Sequence, residues 1–121
     1  MHRHRLILAT SLFFFLIIHA SSAFSYQQIE FIRELGDYKK PAGQRLMNGP
    51  RSLALSGDKI YIADTESNRI LVLDQSGKTL LSWGSKGEKP GQFKSPSGIA
   101  LDEQGRVYVS DTGNGRVQVF D

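Results

Sequence analysis

The 121-residue sequence has no cysteine and only one tryptophan, and its three histidines (His2, His4, His19) all lie near the start. The remainder of the chain therefore lacks the commonest general base, the usual transition-metal ligands and any disulfide. Stability has to come from packing, and no cofactor or metal site is expected. Helical periodicity is missing too. No window of useful length carries a 3.6-residue apolar period, and Gly or Pro interrupts every few residues. A strong charge imbalance is also absent. The whole chain has a net charge of +3, but Arg3 and Arg5 fall in the first 23 residues with no acid beside them, leaving +1 for the rest. That near-neutral remainder argues against nucleic acid as a partner.

What is present begins with a leader. His2 to Arg5 is a basic start, and Leu6 to Ile18 is an apolar run of 13 residues broken only by Thr10 and Ser11. Ala20-Ser21-Ser22-Ala23 supplies the small residues that a signal peptidase needs. Residues 1–23 are expected to be a signal peptide cut after Ala23, giving a secreted or periplasmic protein. A helix over the apolar run would span only ~20 Å, against ~30 Å for a bilayer core, so no stable membrane anchor is expected.

The remainder, residues 24–121, is dominated by a self-match. PRSLALSGDKIYIADTESNRILVLD starts at Pro50, and PSGIALDEQGRVYVSDTGNGRVQVFD starts at Pro96. Pro50, Ala54 and Leu55 recur at Pro96, Ala100 and Leu101, an offset of 46. Tyr61, Asp64-Thr65, Arg69 and Asp74 recur at Tyr108, Asp111-Thr112, Arg116 and Asp121, an offset of 47. The one-residue change falls inside a Gly-containing turn, where a length change does least harm. A self-match at a period near 46 marks a repeat architecture.

Within each copy, short apolar stretches alternate with turns. Strands are expected over residues 51–55, 59–64, 69–74 and 78–83, then over 98–102, 106–111 and 116–121. Connections of three or four residues suit antiparallel hairpins and exclude parallel crossovers. Gly36 echoes Gly84, and Gly43-Gln44 echo Gly91-Gln92, at an offset of 48. Phe31 to Leu35 is thus expected to be a copy of the fourth strand, with 31–48 forming an outer strand and loop. Residues 49–94 make a first full repeat and 95–121 a second, incomplete one. Several strands are apolar on both faces, so each sheet needs neighbours on both sides, and fanning sheets around an axis provides them.

This pattern resembles the NHL repeat. The second copy carries it at Pro96, Gly98-Ile99-Ala100, Asp102, Gly105, Val107-Tyr108-Val109, Asp111-Thr112, Asn114, Arg116-Val117 and Val119-Phe120-Asp121. The inter-repeat loop carries it at Trp83-Gly84-Ser85, Gly87 and Pro90-Gly91-Gln92-Phe93. The first copy departs at Ser52, Ser56 and Leu73. The resemblance implies an all-β fold made of four-stranded antiparallel blades of an NHL-type β-propeller. About two blades of a longer ring, usually of six, are present here. It also implies a binding platform, although some relatives are enzymes.

Two residue sets invite a functional reading. Asp64 with Arg69, and Asp111 with Arg116, bracket the second-to-third turn at a spacing of five in both copies. Catalytic residues occur once in a fold, whereas structural ones recur, so these are expected to form a repeated clasp. Thr65 and Thr112 are expected to cap the same turns through their hydroxyls. The second set lies on the loops, which alternating strand direction brings to one rim: Arg51, Glu66, Asn68, Lys86, Glu88, Lys89 and Asn114. Lys39, Lys40 and Lys94 fall on the same rim. A protein or small ligand is expected to bind there.

No catalytic constellation emerges. Ser110 lacks a G-x-S-x-G frame and a base. The Gly-rich stretch 84–91 lacks the phosphate-loop pattern, and no calcium-loop spacing of acids occurs. The expected function is an exported, non-catalytic scaffold for protein interaction or ligand binding. The alternatives are the N-terminal part of a secreted propeller enzyme, such as a lactonase-like hydrolase or an amidating lyase, or of an extracellular sensor domain. Self-association through unpaired blade faces is a further expectation.

Overall fold

The computed structural model describes Phe31, residues 33–37 and residues 39–121. The leader expected over residues 1–23, its cleavage point and the start of the first expected strand lie outside the described residues. The chain divides into two units, Met1–Arg33 and Glu34–Asp121, and both repeats belong to the second.

Among the described residues, seven strands form two antiparallel meanders. The first sheet holds β1 (Pro50–Ser56), β2 (Lys59–Asp64), β3 (Arg69–Asp74) and β4 (Thr79–Trp83) in sequence order. The second holds β5 (Pro96–Leu101), β6 (Val107–Asp111) and β7 (Arg116–Phe120). The strands fall where the apolar stretches lie, bounded by the Gly, Asp and Ser turns between them. Register repeats as the sequence does: Ala54 faces Tyr61, which faces Val72, and Ala100 faces Tyr108, which faces Val119. Both inner strands carry an irregularity at the same place, between Pro50 and Ser52 and between Pro96 and Gly98. There Arg51 and Ser97 are left out of the pairing, which bends the strand as a bulge does.

Of the expected outer strand at Phe31 to Leu35, the described residues adopt no strand, and Phe31 is 82% exposed. A strand needs a ladder partner for its backbone groups. Among the described residues the two sheets hold only β1–β4 and β5–β7. The loop that follows Leu35 nevertheless keeps its echo. Gly36 has φ +105° and Gly84 φ +100°, a region open to glycine and strained for other residues.

The sheets pack face to face. Ala63 and Ile70 of the first sheet meet Val107 and Val109 of the second, with Tyr61, Trp83, Ile99, Leu101 and Phe120 closing around them. Phe93, from the loop joining the sheets, is fully buried in this cluster and lies 5.8 Å from the Phe120 ring. Burying a side chain of this size contributes about 1.5–3 kcal/mol. The opposite face of the first sheet buries Ile62, Leu71 and Leu73 under Leu35, Leu46 and Met47. Both faces of the first sheet are thus apolar, as the sequence pattern requires. The outer surfaces stay open: Leu53 and Leu55 on β1, and Val117 and Val119 on β7, are all more than half exposed.

Candidate functional site

The loops are set by two nearly identical arrangements. Each begins where an inner hairpin turns. The turn after β2 is a single 3-10 turn (Thr65–Ser67) ended by Asn68 in the left-handed region; the turn after β6 (Thr112–Asn114) ends in Gly115. Asn and Gly are the residues that tolerate this conformation.

Asp64 ends β2 and is fully buried. One of its oxygens accepts the Asn48 N–H at 2.6 Å, and the other accepts Arg69 Nε at 2.8 Å. Arg69 Nη2 continues to the Leu46 carbonyl at 2.7 Å. Asp111 repeats this: Oδ1 accepts the Lys94 N–H at 2.8 Å and Oδ2 accepts Arg116 Nε at 2.9 Å. Arg116 Nη2 reaches the Gln92 carbonyl at 3.2 Å and that of Lys89 at 2.9 Å. The turns also donate backbone bonds to the same loops, Glu66 N–H to Asn48 O and Gly113 N–H to Lys94 O. In each copy, then, a buried carboxylate and its arginine hold the loop that leads into that sheet.

The second carboxylate is the more heavily engaged. Asn114 Nδ2 and Gln118 Nε2 also donate to Asp111 Oδ2, at 2.9 and 3.1 Å. Burial pushes the Asp111 carboxyl up. The bonds from Lys94, Asn114, Arg116 and Gln118 outweigh that and hold it below its ordinary value. Three of its four donors converge on Oδ2 and one on Oδ1, so the carboxylate is held as part of the scaffold.

The rim residues divide into two groups. Arg51, Glu66, Lys86, Glu88 and Lys89 are exposed on the loops or beside them. Glu88 meets Lys94 at 3.9 Å, an exposed pair of small energetic weight. Arg51, Lys86 and Lys89 make no ion pair among the described residues. Asn68 and Asn114, expected to offer side chains to a partner, are instead turned into the scaffold. Asn68 Oδ1 accepts the Ser95 N–H at 2.9 Å, and Asn114 Nδ2 bonds the Gly87 carbonyl at 2.8 Å as well as Asp111. The threonines also depart from expectation, since neither turn has a side-chain cap. Thr65 Oγ1 donates to the Pro96 carbonyl at 2.6 Å, a bond between the two sheets, and Thr112 Oγ1 pairs with Ser97 Oγ.

Two clusters were not singled out from the sequence. Gln118 bonds Gln92 O and Asp111, and accepts the Gly91 N–H. Its signal is a polar residue where the first copy has Leu71. Asp102 gathers Arg106 Nε at 2.6 Å and the Tyr108 hydroxyl at 3.0 Å. Burial acts to raise the Asp102 carboxyl, and the bonds from Arg106 and Tyr108 bring it below its ordinary value. The first copy has Ser56 there. Among the described residues no group of three or more His, Cys, Asp or Glu is placed to hold a metal ion.

The family described as NHL repeat matches residues 47–73 and 93–120, one segment on each sheet. The two sheets are NHL repeats. Each is a propeller blade, the first with four strands and the second with three. Among the proteins to which the NHL chain is similar is human NHL repeat-containing protein 3, 44% identical over 69 residues, covering 54% of this chain and 20% of that protein. Protein SUPPRESSOR OF QUENCHING 1, chloroplastic, of Arabidopsis thaliana is 31% identical over 101 residues, covering 76% of this chain and 10% of that protein. The E3 ubiquitin-protein ligase TRIM71 of Gallus gallus is 42% identical over 77 residues, 64% of this chain and 7% of that protein. The chain thus spans a fifth or less of the length of these relatives.

Proposed function

We propose that this chain is an exported propeller segment that binds a protein partner through its loop rim, without catalysis. One observation carries the reading. The two Asp–Arg clasps fix the loops through backbone atoms, which leaves Arg51, Lys86 and Lys89 exposed and without an ion pair among the described residues, beside the exposed Glu66 and Glu88, on a rigid support. Loops so held are the usual carriers of recognition. NHL repeats also suit an interaction scaffold. The basic, apolar and small-residue order of residues 1–23 supports export.

The test uses a triple variant, Arg51→Glu, Lys86→Glu and Lys89→Glu. The wild-type chain is expected to retain a partner from the extracytoplasmic fraction of its source, and the variant to lose it while melting unchanged. Retention of the same proteins by both would sink the rim reading. N-terminal sequencing of the exported product is expected to begin at Phe24; an intact Met1 on the exported protein would reject the leader.

A further inference from the structure

Two of the three asparagines precede a glycine, Asn48-Gly49 and Asn114-Gly115. Each pair lies on one of the Asp–Arg clasps. Glycine has no side chain to keep its nitrogen away from the preceding residue. An Asn-Gly pair is therefore where the next nitrogen most readily attacks the Asn side-chain carbonyl carbon. The attack has three requirements. The Gly N–H must be free of an acceptor, and the Asn amide must be free to swing toward it. The bond between Cα and the main-chain carbonyl carbon must also turn the nitrogen toward the side chain.

The fold denies all three at Asn114. Gly115 N–H donates to Thr112 O at 3.1 Å. Asn114 Nδ2 donates to Gly87 O at 2.8 Å and to Asp111 Oδ2 at 2.9 Å. Asn114 also ends the 3-10 turn Thr112–Asn114. The ψ of such a turn, about −20 to −30°, keeps the next nitrogen turned aside from the side chain. None of these restraints operates at Asn48. Its main chain is gripped, with the N–H on Asp64 Oδ1 and the carbonyl on Glu66 N–H. Its side-chain amide makes no hydrogen bond among the described residues, and neither does Gly49 N–H. Asn48 lies outside any helix or strand, and Gly49 is exposed at φ +57°. The third asparagine, Asn68, precedes Arg69, and its Oδ1 accepts the Ser95 N–H.

We propose that Asn48 is modified spontaneously in the folded protein, while Asn114 is held inert until its turn opens. At Asn48 the Gly49 nitrogen bonds to Cγ, the Cγ–Nδ2 bond breaks, and the amide nitrogen leaves as ammonia with the Gly49 proton. Water then opens the resulting succinimide ring. Attack by water on Cγ restores the main chain as aspartate. Attack on the main-chain carbonyl carbon leaves the chain running through Cγ, as isoaspartate. In isoaspartate the carbonyl that Glu66 N–H holds is no longer part of the main chain. The first clasp then stops fixing the path from residue 48 into β1. This inference is independent of the rim reading.

The test keeps the chain folded in neutral buffer at physiological temperature. It follows tryptic peptides 46–51 and 107–116, which hold Asn48 and Asn114 separately. Mass spectrometry reads the gain that accompanies conversion of amide to acid. Asn48 is expected to convert about tenfold or more faster than Asn114 in the folded chain, and the gap to close in urea, where local opening no longer limits Asn114. Asn48→Gln, whose longer side chain closes the ring poorly, is expected to abolish conversion at that position. The isoaspartate fraction, separated by ion exchange, is expected to melt below the unconverted protein. Folded conversion of Asn48 no faster than that of Asn114, or a gap that survives in urea, overturns the proposal. So does an isoaspartate fraction that melts with the unconverted protein.

Discussion

Replacing Asp111 by alanine tests what the clasp contributes. Four donors converge on this carboxylate: the Lys94 N–H and the side chains of Asn114, Arg116 and Gln118. Three keep another acceptor when it is lost. Asn114 retains Gly87 O, Gln118 retains Gln92 O, and Arg116 retains the carbonyls of Lys89 and Gln92. The Lys94 N–H has no such alternative and becomes an orphan, at about 1–3 kcal/mol. Arg116 loses its counter-ion. Breaking a fully buried pair costs about 3–5 kcal/mol, but Arg116 is 32% exposed, so its share falls at or below the low end. Together these give a loss of about 3–4 kcal/mol, a large fraction of the ~5–15 kcal/mol that holds a typical domain. Asp111→Asn keeps the shape and one acceptor, and is expected to lose about 2 kcal/mol. Asp64→Ala strips two donors rather than four and falls between them. Urea unfolding followed by the single tryptophan, Trp83, reads all three. A loss under about 1 kcal/mol for Asp111→Ala, or a larger loss for Asp64→Ala, would refute this reasoning.

Three further outcomes follow from the same geometry. Gly84→Ala is expected to destabilise severely, since a Cβ at φ +100° would lie 2.5 Å from the Phe93 ring; a thermal melt within a few degrees of wild type would contradict it. Trp83→Phe is expected to stay within about 1 kcal/mol of wild type in a chemical melt, because the indole Nε1 is buried without a hydrogen-bond partner among the described residues; Trp83→Ala, which also removes the edge contact to Phe120, should cost about 3 kcal/mol. The folded-state Asp111 carboxyl lies below its ordinary 3.8, so its stabilisation is fully present above that value and is lost as pH falls from there through the folded-state value; melts in acid should show this loss in wild type and a flatter profile in Asp111→Asn.

Most of the fold was legible because the repeat is itself a physical constraint. Every strand of the two sheets lies within two residues of its apolar stretch, since turn residues such as Ser56-Gly57-Asp58 leave the chain little else to do there. The clasp was legible from the recurrence of Asp64 and Arg69 at Asp111 and Arg116. Its loop partners were not, because they are backbone N–H groups 16 or 17 residues upstream, and no residue type marks a backbone donor. The threonine hydroxyls were misplaced for a related reason. Local capping was the nearest use for them, yet Thr65 bonds a carbonyl 31 residues away on the neighbouring sheet. Phe31 to Leu35 carried a strand's composition, but a strand also needs an edge to join, and composition does not record where an edge is.

The way the clasp grips its loop bears on the proposal that the rim binds a partner. Asp64 and Arg69 hold Asn48 by its N–H and Leu46 by its carbonyl, and Asp111 and Arg116 hold Lys94, Gln92 and Lys89 in the same manner. None of these contacts touches a loop side chain, so the clasp fixes the loop's path; the core then specifies Leu46, Met47 and Phe93, and exposed positions such as Lys86, Lys89 and Lys94 are left to vary. The two copies differ there accordingly: Leu46 and Asn48 in one correspond to Gln92 and Lys94 in the other, with the same backbone bonds. Substitution at the exposed positions of these loops can therefore alter charge and shape at the rim with little loss of stability. Substitution at the buried carboxylates cannot. A surface that varies freely over a support that does not is the physical requirement for a family of scaffolds with different partners, and the clasp meets it with four side chains.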